Sequence, residues 1–335
     1  MTLYDLLNEG SSILRQAGDT DAENDAKLLL LNAFDLNLLH FLMDRLRPLS
    51  ETDAAVQEQI QNYCAMVAKR ASRVPLQQIL GSQEFMGLDF FVNEHVLIPR
   101  QDTETLVELV LQEQKDKDIS ILDMCTGSGC IAVSLKKLGG YAHVEGADIS
   151  EESLKVAKRN SEEILENNDV NNDAVSSRTE QIQNCTNLTN NQNKQNNSAK
   201  RKISEASKLS QAGVTFRHSD MFSNFPETEQ FDVIVSNPPY IPSAVIEELE
   251  PEVRDHEPRG ALDGTADGLY FYRILAEECA KHLTPGGHVY FETGYDQGAA
   301  VKELLDIHGF KDTRVIQDLA GKDRVVCGAW QTAGV

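Results

Sequence analysis

Apolar residues in the first seventy positions recur every three or four residues, which is the spacing of an amphipathic helix. Three runs have this spacing, over residues 3–14, 26–34 and 51–70. The same region contains neither a strand–helix–strand alternation nor a cluster of side chains suited to catalysis. Residues 1–72 are therefore predicted to form a small helical domain, which could serve as a lid, a docking surface for a partner or a structural cap.

The pattern changes at Pro75, because the residue before a proline is disfavoured in the helical conformation. Beyond it, residues 88–92 and 96–98 have the composition of short strands on either side of Asn93 and Glu94. Residues 73–98 are accordingly predicted to form a β-hairpin linker between the helical domain and the rest of the chain.

From residue 119 onward, short apolar runs alternate with longer runs of helical spacing. The predicted strands cover residues 119–124, 143–148, 214–218, 231–236, 288–292, 313–317 and 324–329, and the predicted helices cover 130–138, 151–166, 269–282 and 296–308. Such alternation is typical of a parallel sheet flanked by helices. Residues 99–335 are thus predicted to form one α/β domain.

One segment, residues 167–210, interrupts this alternation because Asn, Gln, Ser and Lys are abundant in it. A segment of this composition buries too little apolar surface to offset the entropy lost on ordering. Closing a long flexible loop adds little to the free-energy cost of folding the flanking elements. The segment is therefore predicted to be a disordered insertion, tolerated as a surface loop.

The composition narrows the classes of function. The chain carries 31 basic and 53 acidic side chains, for a net charge of −22, which argues against stand-alone binding of DNA or RNA. The apolar runs are too short to span a bilayer, and the acidic N-terminus does not look like a signal peptide. The cysteines lack the spacing of metal ligands, so a cytoplasmic protein with reduced thiols and no bound metal is expected.

A glycine-rich loop over residues 123–129 connects the first predicted strand of the sheet to the following helix. Glycines let the backbone approach a ligand closely, and the helix N-terminus presents unpaired N–H groups. Asp148 ends the next strand, about 20 residues further on, where a carboxylate can accept hydrogen bonds from ribose hydroxyls. This unit predicts a nucleoside cofactor, although the spacing of Gly127, Gly129 and Ala132 also satisfies a dinucleotide fingerprint.

Asp220 directly follows Ser219 and the predicted strand over residues 214–218. Residues just past the carboxyl ends of strands line the ligand crevice of an open α/β sheet. Asp220 is therefore either an acceptor for an adenine amino group or an ordinary turn residue.

A buried apolar strand over residues 231–236 runs directly into Asn237, Pro238, Pro239 and Tyr240. The prolines fix φ and remove two N–H donors, so carbonyl oxygens are left at a rigid turn. Asn237 adds a side-chain oxygen that accepts hydrogen bonds, and Tyr240 adds an aromatic face. This combination predicts a site that accepts both hydrogens of a planar –NH2 group. Asn237 Oδ1 and the Pro238 carbonyl would orient the nitrogen lone pair for methyl transfer without a general base.

Taken together, these motifs resemble those of the HemK/PrmC family of release-factor glutamine methyltransferases. The resemblance covers nearly the whole chain outside the insertion and rests on residues 75–81, 84–85, 97–100, 102–104, 123–129, 148, 219–220, 237–240, 257–258 and 261–262. It implies a helical N-terminal domain, a β-hairpin linker and a Rossmann-like methyltransferase domain with a seven-stranded sheet whose last strand is antiparallel. It also implies that S-adenosyl-L-methionine is used to methylate the glutamine of the Gly-Gly-Gln motif in class-1 peptide chain release factors, at the side-chain amide nitrogen.

The resemblance also implies roles for individual residues. The expected cofactor contacts are Cys125, Thr126, Gly127, Ser128, Gly129, Asp148, Asp220, Met221 and Asn237. Asn237, Pro238, Pro239 and Tyr240 would hold the glutamine, and Asn237, Pro238 and Tyr240 are the expected catalytic residues. Because an amide alone offers little surface for recognition, the helical domain is expected to dock the folded release factor.

Three positions depart from the usual pattern of this family. Cys125 replaces a glycine, Gln101 replaces a proline, and Met221 replaces an aromatic residue beside the adenine, although methionine also covers a purine face. The sequence leaves other functions open: a ribosomal-protein glutamine methyltransferase, a DNA adenine-N6 methyltransferase, a nicotinamide-dependent dehydrogenase, or a non-enzymatic module that binds ribosomes or translation factors. A DNA enzyme must extrude a base and grip phosphates, and the sequence has no basic recognition region.

Overall fold

The computed structural model describes residues 1–50, 52–166 and 213–331. Its N-terminal part contains four helices: α1 (Leu3–Gln16), α2 (Ala22–Ala33), α3 (Leu38–Asp44) and α4 (Ala54–Ala71). The three predicted helical runs are confirmed as α1, α2 and α4. The short α3 was not predicted; it spans seven residues, LLHFLMD, and Phe41 is its one buried residue. The predicted insertion over residues 167–210 lies outside the described residues.

The helical domain combines local capping with a shared core. At the start of α1, Thr2 Oγ1 accepts from the Asp5 N–H at 3.1 Å, and the Asp5 carboxylate accepts from the Thr2 N–H at 2.8 Å, which is a capping box. Tyr63 of α4 is buried and donates its hydroxyl to the Leu6 carbonyl at 3.1 Å. Within the described ranges, no single helix is long and apolar enough to cross a membrane; α2 and α3 pass that test of length and composition only as a pair bent by 93°.

Beyond this domain, strands and helices alternate. In chain order the elements are α5 (Leu76–Leu80), β1 (Ser82–Phe85), β2 (Leu88–Phe91), α6 (Gln101–Glu113), β3 (Ser120–Met124), α7 (Cys130–Ser134), β4 (His143–Asp148), α8 (Glu151–Glu166), β5 (Thr215–His218), β6 (Phe231–Ser236), α9 (Ser243–Ile246), α10 (Pro251–His256), α11 (Arg259–Leu262), α12 (Tyr270–His282), β7 (Leu283–Glu292), α13 (Gly298–Ile307), β8 (Lys311–Gln317) and β9 (Asp323–Ala329). A π-helical turn, Leu135–Gly139, extends α7. From residue 119 onward, the predicted strands and helices are confirmed, with ends shifted by up to about five residues. Helix α6 and the short α5, α9, α10 and α11 were not predicted.

The hairpin linker is present, but one strand earlier than predicted. Strands β1 and β2 pair antiparallel across a two-residue turn. The turn residues Met86 and Gly87 both have positive φ, 55° and 74°, as a type I′ turn requires. The prediction of a second strand over residues 96–98 was wrong. Val96 and Ile98 are buried by packing, but they pair with no other strand.

Seven strands form one sheet in the order β5-β4-β3-β6-β7-β9-β8. The first five of these pair in parallel, and β9 is antiparallel to both of its neighbours. Val233 and Val235 lie in one buried cluster and Ile234 in another, so both faces of the sheet are covered. The expected seven-stranded α/β fold with an antiparallel last strand is thus confirmed.

The parallel strands place their carboxyl ends at one edge of the sheet. Met124, Asp148, Ser236 and Glu292 are the last residues of β3, β4, β6 and β7. In open α/β sheets, ligands bind in the crevice at this edge. The helical domain contacts α10 directly, because Arg70 of α4 and Arg73, just after it, both bond to Glu252.

Candidate active site

A cavity of about 540 Å³ opens at the carboxyl ends of the parallel strands. Nine predicted site residues line it: Cys125, Thr126, Gly127, Ser128, Asp148, Asp220, Met221, Asn237 and Pro239. Gly129, Pro238 and Tyr240 were also predicted and do not line it. The structure thus brings most of the predicted site residues together in one cavity. Three residues that were not predicted, Pro99, Arg100 and Thr103, line one side of it.

The glycine loop is held in a shape that leaves its backbone open to a ligand. Gly127 has a φ of 55°, and a side chain added to it would meet nothing within 4 Å. Gly129 serves packing instead, because a Cβ there would lie 3.2 Å from the Ala157 backbone. Buried Asp123 anchors the loop by accepting from the Thr126 hydroxyl at 2.6 Å, and burial raises the pKa of its carboxyl to about 7.

Asp148 lies beside this loop and is tied to it. Its Oδ2 accepts from the Gly127 N–H at 2.9 Å, and its Oδ1 accepts from the Ser150 N–H at 2.8 Å. Burial is the largest influence on the Asp148 carboxyl and raises its pKa. Each carboxylate oxygen can accept a second hydrogen bond, so the side chain can still receive two hydroxyl groups from a ligand.

Two of the three positions that depart from the family pattern touch each other. The sulfur atoms of Cys125 and Met221 lie 3.9 Å apart on the cavity wall. Both residues have positive φ, 63° for Cys125 and 45° for Met221, which side chains rarely adopt. Burial raises the pKa of the Cys125 thiol, so this cysteine stays protonated at neutral pH. Asp220, next to Met221, is exposed at the rim.

The segment after β6 is fixed on both sides. Asn237 donates through Nδ2 to Thr103 Oγ1 at 3.4 Å, which leaves its Oδ1 to accept from a ligand. Gln297 donates to the Tyr240 carbonyl at 2.9 Å. A Cβ on Gly268 would lie 2.3 Å from that same carbonyl oxygen, so only glycine at this position allows the Tyr240 backbone to lie this close. The turn is therefore rigid before any ligand binds.

Glu292 lies behind this turn and was not predicted. It is 1% exposed, and the nearby hydroxyl groups of Thr103 and Tyr240 act to lower the pKa of its carboxyl. Burial is the largest influence on it and raises its pKa to about 7. A sequence signal for Glu292 existed, since it is a carboxylate at the end of an apolar strand, as Asp148 is. Thr103 and Gln297 had no such signal, because their contacts cross between elements far apart in the chain.

Comparison with known proteins places these features in a family. Residues 5–81 match a family model described as PrmC N-terminal domain, and residues 142–291 match one described as Eco57I restriction-modification methylase. The release factor glutamine methyltransferase of Geobacter sulfurreducens is 35% identical and covers 98% of this chain and 96% of its own length. That of Clostridium botulinum is 36% identical, over 97% of this chain and 98% of its own.

Among solved structures, a methyltransferase from Pyrococcus furiosus is similar to this chain with 17% identity and a TM-score of 0.46, covering 79% of this chain and 100% of its own. The fold assignment rests on the strand order and not on this distant likeness. The identity to curated relatives over nearly their whole length, with the N-terminal match beside it, shows that this chain belongs to the release factor glutamine methyltransferase family.

Proposed function

We propose that this chain transfers a methyl group from S-adenosyl-L-methionine to the side-chain amide nitrogen of the glutamine in the Gly-Gly-Gln motif of class-1 peptide chain release factors. The observation that carries the proposal is the orientation of Asn237, whose Nδ2 is engaged by Thr103 so that Oδ1 can accept from a substrate –NH2 group. The curated relatives named above are called release factor glutamine methyltransferases, which agrees with the proposal. The cytoplasm, where release factors act, is the proposed location.

The cavity suits the cofactor. Gly127 leaves open space at the loop, Asp148 has acceptor capacity for ribose hydroxyls, and Met221 offers a polarisable face for the adenine. Asp220, which also lines the cavity, would accept from the adenine amino group. When bound, S-adenosyl-L-methionine supplies the electrophilic methyl group, and the protein supplies orientation.

The turn at Asn237 would activate the substrate nitrogen, which is the difficult step of the reaction. The lone pair of an amide nitrogen is delocalised, so the nitrogen is a weak nucleophile. Hydrogen bonds from its two N–H groups to Asn237 Oδ1 and to the Pro238 carbonyl would fix the nitrogen and favour its pyramidal form. Catalysis is then mainly positioning and electrostatics, which rigid acceptors perform well. Tyr240 would contact the plane of the amide.

The helical domain supplies a surface for the rest of the substrate. On α3 and just after it, five large apolar side chains are exposed, which we call the α3 patch: Leu38, Leu39, Leu42, Met43 and Leu46. Exposed apolar clusters on a folded domain mark interaction sites. We propose that the α3 patch docks the folded release factor, because the amide at Asn237 carries no information about the surrounding sequence.

Methylation of DNA is the alternative that shares the same nitrogen chemistry, and one family model of a restriction-modification methylase matches part of the chain. The net charge of −22 disfavours it, since this charge repels a phosphate backbone. A glutamine in a ribosomal protein would present the same amide group, so the experiment below is what distinguishes it from a release factor.

The test is mass spectrometry of a purified class-1 release factor after incubation with the enzyme and isotope-labelled S-adenosyl-L-methionine. We expect one labelled methyl group on the glutamine of Gly-Gly-Gln, and none on duplex DNA or ribosomal proteins assayed in parallel. Asn237→Ala should lower the rate by about 100-fold or more, as does the loss of one oxyanion-hole donor. Asn224→Ala is the matched control, because Asn224 is exposed and lies outside the cavity. An unlabelled release factor, or a fully active Asn237→Ala, would refute the proposal.

A further inference from the structure

We propose that Glu257 is a positioning residue that fixes one wall of the catalytic cavity, and that the helical domain holds Glu257 in place through α10. The inference deepens the proposed function and rests on it for its meaning in catalysis. Glu257 is the residue after α10, is buried, and does not line the cavity itself. It therefore acts through the residues that it contacts.

Glu257 anchors the segment that leads into α6. Its Oε2 accepts from the Ile98 N–H at 3.2 Å, and its Oε1 accepts from the Arg100 guanidinium. The Glu257 side chain is 1% exposed, whereas the Arg100 side chain is 41% exposed and lines the cavity together with Pro99. One buried carboxylate thus fixes the backbone at Ile98 and the side chain of Arg100, on either side of Pro99.

The same wall carries the residue that orients Asn237. The Thr103 N–H bonds to the Arg100 carbonyl at 3.1 Å, in the first turn of α6. Thr103 Oγ1 in turn accepts from Asn237 Nδ2 at 3.4 Å. A shift of Arg100 would therefore be passed on to Asn237, whose Oδ1 is proposed to hold the substrate nitrogen.

Contacts from outside the methyltransferase domain hold α10 at both of its ends. Arg70 of the helical domain bonds to Glu252, in the first turn of α10, at 2.8 Å. Gln78 of α5 donates to the carbonyl of His256, the last residue of α10, at 3.0 Å. Glu257 follows directly, so its position depends on how the helical domain and α5 pack against α10.

Arg100 lies between the catalytic cavity and this domain boundary. A second cavity, of about 230 Å³, is lined by Arg70, Glu252, Glu257 and Arg100, and Arg100 lines the catalytic cavity as well. A shift at the boundary would therefore reach the catalytic cavity through Arg100.

Stability alone does not explain the ion pair between Glu257 and Arg100. Burial raises the pKa of the Glu257 carboxyl, and Arg100 and the Ile98 N–H oppose this rise. A buried ion pair often stabilises a fold no more than apolar side chains of similar volume do. What the two hydrogen bonds of Glu257 provide is a fixed direction for the Arg100 side chain.

Two substitutions test the anchor itself. Glu257→Gln keeps the shape of the side chain, but an amide has one oxygen and cannot accept from both Ile98 and Arg100 in the same geometry. The dissociation constant for S-adenosyl-L-methionine should rise about tenfold, because a hydrogen bond to a charged group is lost at the cavity wall. Arg100→Met removes the other partner, and the double variant should bind within about threefold of Arg100→Met, since the two residues act as a unit. Glu247→Gln is the control, because Glu247 is 64% exposed in its ion pair with Arg259 and does not line the cavity.

A third substitution tests the contribution of the helical domain. Glu252→Gln weakens the contact between α10 and Arg70 and leaves the residues that line the catalytic cavity unchanged. On a short Gly-Gly-Gln peptide, kcat should fall by about threefold or more, because the wall is less well fixed. A helical domain that served only to dock the folded substrate would leave the peptide reaction unchanged.

Hydrogen exchange provides a measurement without turnover. The Ile98 N–H is bonded to Glu257, so its exchange should be about tenfold faster in Glu257→Gln, and it should also be faster than wild type in Glu252→Gln. If no release factor is methylated but these changes are found, the proposed function fails and the inference stands. Wild-type affinity for S-adenosyl-L-methionine in Glu257→Gln, or wild-type exchange of Ile98 in Glu252→Gln, would overturn the inference.

Discussion

Arg70 of the helical domain lies 2.8 Å from Glu252 on α10 and 2.6 Å from Asp25 on α2, so one guanidinium group joins the two domains. Its side chain is 9% exposed. The Asp19 carboxylate is also close, at 3.1 Å from Nε, but is not aligned for a hydrogen bond. The interaction fixes the helical domain, and with it the α3 patch, relative to the cavity.

Replacing Arg70 should therefore cost much more stability than replacing its neighbour Arg73. Arg70→Met would leave buried carboxylates without their partner, for which about 3–5 kcal/mol is expected. Arg73 also bonds to Glu252 but is 22% exposed, and Arg73→Met should cost about 1 kcal/mol or less. Urea denaturation of both variants measures the difference. Equal losses would show that Arg70 is not the central contact.

The α3 patch should determine affinity for the folded substrate and not the chemical step. Leu39→Ser combined with Met43→Ser should raise KM for a folded release factor by about tenfold, because apolar contact area is lost. The rate on a short Gly-Gly-Gln peptide, which is expected to be orders of magnitude slower, should not change. Ile307→Ser is the control, since Ile307 is equally exposed, at 71%, and lies on α13. A KM that stays at the wild-type value would place the docking surface elsewhere.

Asp148→Ala should weaken the binding of S-adenosyl-L-methionine more than it lowers kcat at saturation. The carboxylate is expected to meet the ribose and not the methyl group, and it also supports the loop by accepting from the Gly127 N–H. Charge-assisted hydrogen bonds of this kind contribute about 1.5–3 kcal/mol, which is roughly 10-fold to 100-fold in affinity. Calorimetric titration beside saturated kinetics checks the expectation, and an unchanged dissociation constant would contradict it.

At position 125, the glycine variant should be more stable to unfolding than the alanine variant, although alanine is usually the more stabilising of the two residues. The residue has a φ of 63°, where a Cβ costs roughly 1–2 kcal/mol. Cys125→Gly should therefore exceed Cys125→Ala in free energy of unfolding by about 1 kcal/mol, measured by denaturation. Both variants lose the same contact with Met221, so the comparison isolates the backbone. An alanine variant as stable as the glycine variant would mean that the loop relaxes to another conformation.

The sequence predicted the sheet well because each strand is a local apolar run, and Phe231–Ser236 and His143–Asp148 were placed to the residue. It also predicted that Asp148 and Asn237 share one edge, since parallel strands end together. The hairpin was misplaced because a turn of Met86 and Gly87 carries only one typical turn residue. Thr103 could not be found, because its role depends on a contact with Asn237, 134 positions later.

The ends of the segment between α8 and β5 also define where the chain can be extended. Helix α8 starts near the cavity and runs back along the sheet, and Val214, just before β5, bonds to Ser161 near the end of that helix. Glu166 and Gly213, where the described chain stops and resumes, therefore lie at the edge opposite Asp148 and Asn237. A fluorescent domain or an affinity tag joined directly to Glu166 or Gly213 would therefore begin away from the cavity.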